Sequence, residues 1–252
     1  GQGTSGTKRK ENSMEYFVKI PNNFIKCDIE KDFDVTPSFY VVYYLLNNNR
    51  IIRNQSFMSI KEIMDIYSAE CTPRKPKIFN DIVKSINKME ELNLIHPLNT
   101  PSVLRYESFL KFQICDTFDS SCDFTIFTEK ELLNIMNIDS AITKDILLRV
   151  YLYIKANIIK RLSYQEKTPE NPEAFFKNKK TSAEEIGIHY NTFYSAIEEL
   201  CKGENPLLIK SNVIDRSGKN TPACSPRAIV INKIGWKEEL NNAVSALRNI
   251  SA

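Results

Sequence analysis

Apolar and polar residues alternate at helical spacing over most of the chain, interrupted by short stretches with strand character. After a polar start, "EYFVKIPNNFI" (15–25) reads as a short strand followed by a loop. In "TPSFYVVYYLLNNN" (36–49), Thr36 stands as an N-cap and Pro37 at the first helical position, where its missing N–H costs nothing. Ile60, Ile63, Met64 and Tyr67 recur at i, i+3, i+4, i+7 and predict a second helix over 59–68. A third helix follows over 72–92, with Ile78, Ile82, Ile86 and Met89 buried. "NLIHPL", a polar connection and "RYESFLKFQI" (105–114) then supply two strands. Three helices followed at once by two strands is the winged-helix order.

The same order recurs downstream. "FTIFTEKELLNIMNI" (124–138) leads into a long helix predicted over about 142–163, and a loop with Pro169 and Pro172 follows. Next come "AFFKNKKTSAEEIGIHYNTFYSAIEELCK" (174–202) and two β-rich runs, "PLLIKSNVI" (206–214) and "PRAIVINKI" (226–234), around "DRSGKNTPACS" (215–225). "WKEELNNAVSALRN" (236–249) makes a C-terminal helix. The expected fold is therefore α+β, mainly helical, with two winged-helix domains (helix-turn-helix plus β-wing) in tandem. Residues 15–118 form the N-terminal domain and 119–252 the C-terminal one, behind a flexible tail or added segment over 1–14. "FYVVYYLL" (39–46) and "ILLRVYLYI" (146–154) lack a polar face, so each must be buried on several sides as a central helix, with some of that surface free to pack between domains or across a dimer.

Gly187 carries the sharpest functional signal. Only seven glycines occur in 252 residues, yet this one separates two helical stretches. A glycine inside a helix costs roughly 1 kcal/mol relative to alanine, so it marks a turn. Ala183, Gly187, Ile188, Phe193 and Ile197 have the spacing of a DNA-binding helix-turn-helix, with Leu200 completing the buried face. His189 occupies the cap position. Ser182 departs from the pattern, since an aliphatic is common there, and implies a short first helix supported by Phe175 and Phe176.

The outward face follows by subtraction: Tyr190, Asn191, Tyr194 and Ser195 are the candidate base-contacting residues. Asparagine bonds bidentately to adenine, serine reaches bases or phosphate, and tyrosine donates to phosphate or packs on a thymine methyl. With no arginine to read guanine, an A·T-rich site is expected. Glu198 and Glu199 would repel phosphates, so only the N-terminal half of the helix is expected in the major groove. Backbone contacts are assigned to Lys177, Lys179 and Lys180 upstream, to Arg216 and Lys219 in the wing, and to Arg227. In the first half, Arg74, Lys75 and Lys77 open the third helix, where its dipole also favours phosphate. Lys84 and Lys88 continue that stripe on an outward face with Asn80, Ser85 and Asn87. Ordinary solvation of an amphipathic helix accounts for the same stripe.

Charge tempers this picture. The formal net charge is only +3, with 16 basic against 13 acidic residues through position 115 and 18 against 18 after it. Any nucleic-acid surface is therefore a local patch. Six scattered cysteines form no CxxC pair and only two histidines exist, so neither a zinc site nor a metal cofactor is expected, and the thiols read as free in a reducing cytoplasm. No apolar run reaches the roughly 20 residues of a membrane helix. No phosphate loop, GxGxxG or paired-histidine motif is present, and catalysis is not expected. The acidic run "DIEKDFD" (28–34) reads as a solvated loop rather than a metal site.

"YFVKIPNNFI", "TPSFYVVYYLL", "SIKEIMDIYS" and "IVKSINKMEELNLI" together resemble the N-terminal region of plasmid and phage replication initiators from low-GC Gram-positive bacteria. The tandem order resembles the two-domain initiators of iteron plasmids, over roughly 15–235. That resemblance implies one winged helix on repeated origin sequences and another that dimerises or touches flanking DNA. It implies base reading by Tyr190, Asn191, Tyr194 and Ser195, and backbone contact by Lys77, Lys84 and Lys88. The implied partners are double-stranded DNA with A·T-rich repeats, a second copy of the chain, and host helicase or loader proteins. Two alternatives stay open: a transcriptional or partition regulator on the same scaffold, and a protein-interaction module without DNA binding.

Overall fold

The structure, a computed structural model, describes residues 17–26, 36–68, 77–99, 101, 103–115, 123–160, 162, 164–211 and 228–249 of the chain. It is an α+β fold in which helices fill the core and small antiparallel sheets edge it. The first half runs β1 (Phe17–Pro21), α1 (Asn22–Lys26), α2 (Phe39–Asn48), β2 (Arg50–Ile51), β3 (Gln55–Ser59), α3 (Ile60–Ile66), α4 (Lys77–Glu91), β4 (Ile95–Pro97) and β5 (Phe109–Ile114). The second runs β6 (Phe124–Thr128), α5 (Glu129–Met136), α6 (Lys144–Ala156), α7 (Lys179–Glu185), α8 (Tyr190–Leu200), β7 (Leu208–Lys210), β8 (Ile229–Ile231) and α9 (Trp236–Asn249).

The halves repeat one plan. Each opens with a strand and a short helix, followed by a buried helix, α2 or α6. In the first half the sheet order is β2-β3-β5-β4, so β3, which precedes α3, pairs with the last strand β5, which pairs with β4 before it. In the second half Phe175 bridges Ile229 of β8, and β8 pairs with β7, giving the same sequence of neighbours. Two helix starts, those of α3 and α5, use the same capping chemistry. Ser59 Oγ accepts from the Glu62 N–H (3.1 Å) while the Glu62 carboxylate accepts from the Ser59 N–H (2.6 Å); Thr128 and Glu131 do the same at 3.3 and 2.9 Å. Each reciprocal box satisfies two donors that a helix start otherwise leaves orphaned.

The strands that open the halves pair with each other: β1 lies antiparallel to β6, Phe17 opposite Thr128 and Pro21 opposite Phe124. One continuous core then runs through both halves, from Ile20 and Ile25 through Tyr44 and Phe127 to Tyr151, Phe193 and Leu208. The two helices without a polar face occupy its centre, as their sequences require. Phe39–Tyr44 and Leu46 of α2 are buried, as are Leu147, Leu148 and Val150–Ile154 of α6. The Tyr44 and Phe127 rings meet edge-on at 5.5 Å.

Several elements differ from the sequence expectation. The segment after β1 is the helical turn α1 rather than a loop, with Phe24 and Ile25 buried. Helix α2 starts at Phe39, not at Pro37: Thr36 O accepts the Phe39 N–H, and Ser38, the residue before the helix, is left-handed (φ 68). Helix α6 ends at Ala156, well short of 163, where the Asn157 side chain caps back onto Tyr153 O at 2.9 Å. Strands β2 and β3 were not anticipated. Arg105–Ser108 is a turn, so β5 begins only at Phe109. The acidic run over 28–34 lies outside the described residues. Among the described residues no helix is long and apolar enough to cross a membrane, and Cys115 and Cys201 are half-buried.

Candidate nucleic-acid interface

Gly187 ends α7 in a defined way. Its N–H donates to Glu184 O (3.1 Å) and the Ile188 N–H donates to Ala183 O (2.9 Å). Those two bonds are a Schellman closure, whose turning residue must be left-handed. Gly187 has φ +61, and a Cβ there would meet nothing within 4 Å. The glycine is thus required by backbone conformation and not by crowding. His189 then caps α8, its Nδ1 accepting from the Asn191 N–H at 3.3 Å. Upstream, Asn178 Oδ1 caps α7 by accepting from the Lys180 and Thr181 N–H groups at 2.8 and 3.3 Å. Ser182, the departure from the motif, is fully buried, and its hydroxyl donates to Asn178 O at 2.8 Å. That bond removes the cost of burying a hydroxyl where an aliphatic is usual.

Phe193, Ala196, Ile197 and Leu200 anchor α8 in the core, with the Phe193 ring edge-on to Tyr153 of α6 at 6.1 Å. Phe175 is buried against the same tyrosine, whereas Phe176 is exposed. The opposite face carries the four candidate base-reading residues. Tyr190, Asn191 and Ser195 are exposed; Tyr194 is half-buried, with the Lys179 ammonium 4.6 Å from its ring centroid. Lys180 is exposed one position further along α7. Glu198 and Glu199, expected to repel phosphates, are ion-paired with Lys210 and Lys202 respectively, the latter at 2.7 Å.

Lys177 is differently employed. Its ammonium pairs with Glu185 (2.8 Å) and lies 3.3 Å from the Tyr153 hydroxyl, which itself donates to Glu185. Partial burial opposes its charge, but the bonds to Glu185 and Tyr153 outweigh that and hold the lysine pKa above its ordinary value. Burial likewise pushes against the Glu185 charge, and the Lys177 and Tyr153 bonds leave its carboxyl below 4.5. This cluster ties α7 to α6, so Lys177 fixes the position of the helix-turn-helix.

In the first half, Lys77, Asn80, Lys84 and Asn87 are exposed along one side of α4. Lys88 is half-buried and pairs with Glu91 at 3.3 Å. Ser85 does not share that face: it is buried, donates to Pro37 O (2.6 Å) and lies 2.9 Å from Thr36 Oγ1. Ile82, Ile86 and Met89 are buried as predicted and Ile78 half-buried, with Phe79 added to the core. Arg74, Lys75, Arg216, Lys219 and Arg227 lie outside the described residues.

Sequence reasoning missed the joint between the halves. Asp145, in the first turn of α6, accepts from the Ser38 N–H (2.9 Å) and the Tyr67 hydroxyl (2.6 Å), both in the first half. Burial raises the Asp145 pKa, against the two hydrogen bonds that favour its charge. Lys77, Lys144 and Arg149 line the same cavity of about 500 Å³, where the beginnings of α2, α4 and α6 converge. An acid at a helix start is a visible signal, but its partners lie 78 and 107 residues away. No protein-family model matches the chain, and neither a curated protein nor a solved structure matches it significantly.

Proposed function

We propose that the protein is a tandem winged-helix protein that binds double-stranded DNA in a sequence-specific way. The observation that carries this reading is the α7–Gly187–α8 unit. A Schellman-closed turn sets a second helix on the core by one face and leaves Tyr190, Asn191 and Ser195 exposed on the other, near its capped N-terminal end. Two strands follow in the position of a wing, and the first half repeats the plan with α3, α4, β4 and β5. In that reading α8 reads bases, and Lys77 and Lys84 of α4, with Lys179 and Lys180 of α7, contact phosphates. The neutralised Glu198 and Glu199 remove an obstacle to close approach. The reading of choice within this class is a replication initiator on repeated A·T-rich origin sites, acting without chemistry of its own and alongside host replication proteins. The same surface serves a transcriptional or partition regulator.

Alanine replacement of Asn191 and Tyr194 tests the assignment. Each base contact is worth about 1–3 kcal/mol of discrimination, so the variants should lose roughly tenfold or more on a specific duplex and little on random DNA. Equal losses on both duplexes would remove α8 as the reading helix.

A further inference from the structure

The cavity at the joint between the halves has the size and make-up of a small-molecule site. Its volume of about 500 Å³ is that of a ligand pocket, and its lining comes from both halves. Pro37, Phe39 and Ile78 of the first half and Ile146 of the second give it apolar walls. Two carboxylates line it as well, Asp81 of α4 and Asp145 of α6, and their situations differ. Asp145 accepts from the Ser38 N–H and the Tyr67 hydroxyl. Asp81 is only 7% exposed, yet among the described residues its carboxylate receives neither a hydrogen bond nor an ion pair. A buried carboxylate is costly unless donors meet it. The two acids also feel each other: after burial, the Asp81 charge is a further influence that raises the pKa of Asp145, against its two hydrogen bonds.

We propose that this cavity binds a guanine nucleotide, with the base edge on Asp81 and the phosphate toward Lys77. The base follows from the acceptor. A carboxylate offers two oxygens side by side, and the guanine edge presents two parallel donors to match them, its ring N–H and its exocyclic amino group. Adenine and cytosine bring only the amino group to such an edge, and uracil only a ring N–H. The apolar walls suit a flat ring. The phosphate follows from the cations. Lys77, exposed at the first residue of α4, lines the same cavity, as do Arg149 and Lys144, the latter donating to Ile138 O. Three cations against two acids leave the lining net positive, and the start of the 15-residue α4 adds partial positive charge beside Lys77. Because the lining comes from both halves, the bound nucleotide clamps the joint that Asp145 forms. The inference does not depend on duplex reading by α8.

Calorimetric titration of the full chain with guanosine monophosphate (GMP), AMP, CMP, UMP and inorganic phosphate tests the proposal. GMP should bind about tenfold or more tighter than the other four and raise the melting temperature. Asp81→Asn puts one acceptor and one donor where two acceptors stood. That variant should lose about tenfold or more on GMP and gain on xanthosine monophosphate, which carries an oxygen where guanine carries its amino group. A merely structural role for Asp81 would not exchange one base for the other. Lys77→Gln should weaken GMP and leave guanosine unchanged. Circular dichroism confirms the fold of each variant, and the Lys77→Gln comparison decides if Asp81→Asn is unstable. GMP binding indifferent to Asp81→Asn, or to Lys77→Gln, would overturn the proposal. So would inorganic phosphate bound as tightly as GMP, or no nucleotide bound at millimolar concentration. Asn191→Ala should leave GMP binding intact, so a failure here and a failure of the α8 reading are told apart.

Discussion

Replacing Gly187 with alanine isolates one physical term. The residue sits at φ +61, and nothing lies within 4 Å of an added Cβ. Steric overlap with the rest of the fold therefore contributes nothing, and the cost is that of a left-handed L-residue, about 1–2 kcal/mol. Alanine also narrows the unfolded ensemble, which offsets about 0.4–1 kcal/mol where the native conformation is compatible and less here. A net loss of about 1 kcal/mol is expected, or about 2–4 °C in melting temperature for a chain of this size. Gly187→Asn should lose less, since asparagine tolerates the left-handed region, and Gly187→Val more. Guanidinium titration followed by far-UV circular dichroism reads the difference as a shift in midpoint at constant slope. Loss of protection at the Ile188 amide, which donates to Ala183 O, should accompany it in hydrogen exchange. An alanine variant as stable as the parent would refute the reasoning, because the Schellman turn could then form without a left-handed glycine. A loss above about 4 kcal/mol would refute it differently, by requiring a packing role that the open space around Gly187 denies.

Other perturbations test other joints. Asp145→Ala should cost about 2–4 kcal/mol in a denaturant titration, because the Ser38 N–H and Tyr67 hydroxyl lose their acceptor in a buried site. Asp145→Asn keeps an acceptor and removes a charge whose burial is unfavourable, so it should stay within about 1 kcal/mol of the parent. Glu185 has a folded pKa below its ordinary 4.5, so its contribution is complete above that value and is lost as pH falls through the lower folded one. A pH series of melts should show Glu185→Gln losing this acid-side dependence while the parent keeps it. Charge reversal at Lys77 and Lys84 should lower non-specific DNA affinity and reduce the salt slope by about 1 for each phosphate that is no longer neutralised; an unchanged slope would remove α4 from the interface.

The legible parts of the fold were those written in local pattern. Apolar residues at helical spacing gave α3, α4, α8 and α9, and the all-apolar runs of α2 and α6 marked the central helices. The spacing from Ala183 to Leu200 located the turn, its cap and its buried face, because each of those depends on residues within a few positions. Other features depend on distant partners and left little trace. Strand β3 forms because β5 lies beside it, pairing Gln55 with Gln113, and its own residues, "QSFMS", alternate over too few positions to declare it. Ser85 occurs on a polar-looking side of α4 yet is buried, since Thr36 and Pro37 pack there from α2's approach. Lys177 looked like its neighbours in "KNKK", and only the nearby Glu185 and Tyr153 distinguish it. The capping boxes Ser59–Glu62 and Thr128–Glu131 were legible but overlooked, and they would have fixed the starts of α3 and α5 to the residue.

Selection from a random duplex library at near-physiological salt, sequenced after several rounds, tests the central claim most directly. Sequence-specific binding through α8 predicts enrichment of one A·T-rich motif, arranged as direct or inverted repeats, and loss of that enrichment when Asn191 and Tyr194 are alanine. A folded protein that enriches no sequence would contradict the claim and leave the helix-turn-helix as a scaffold for protein contacts.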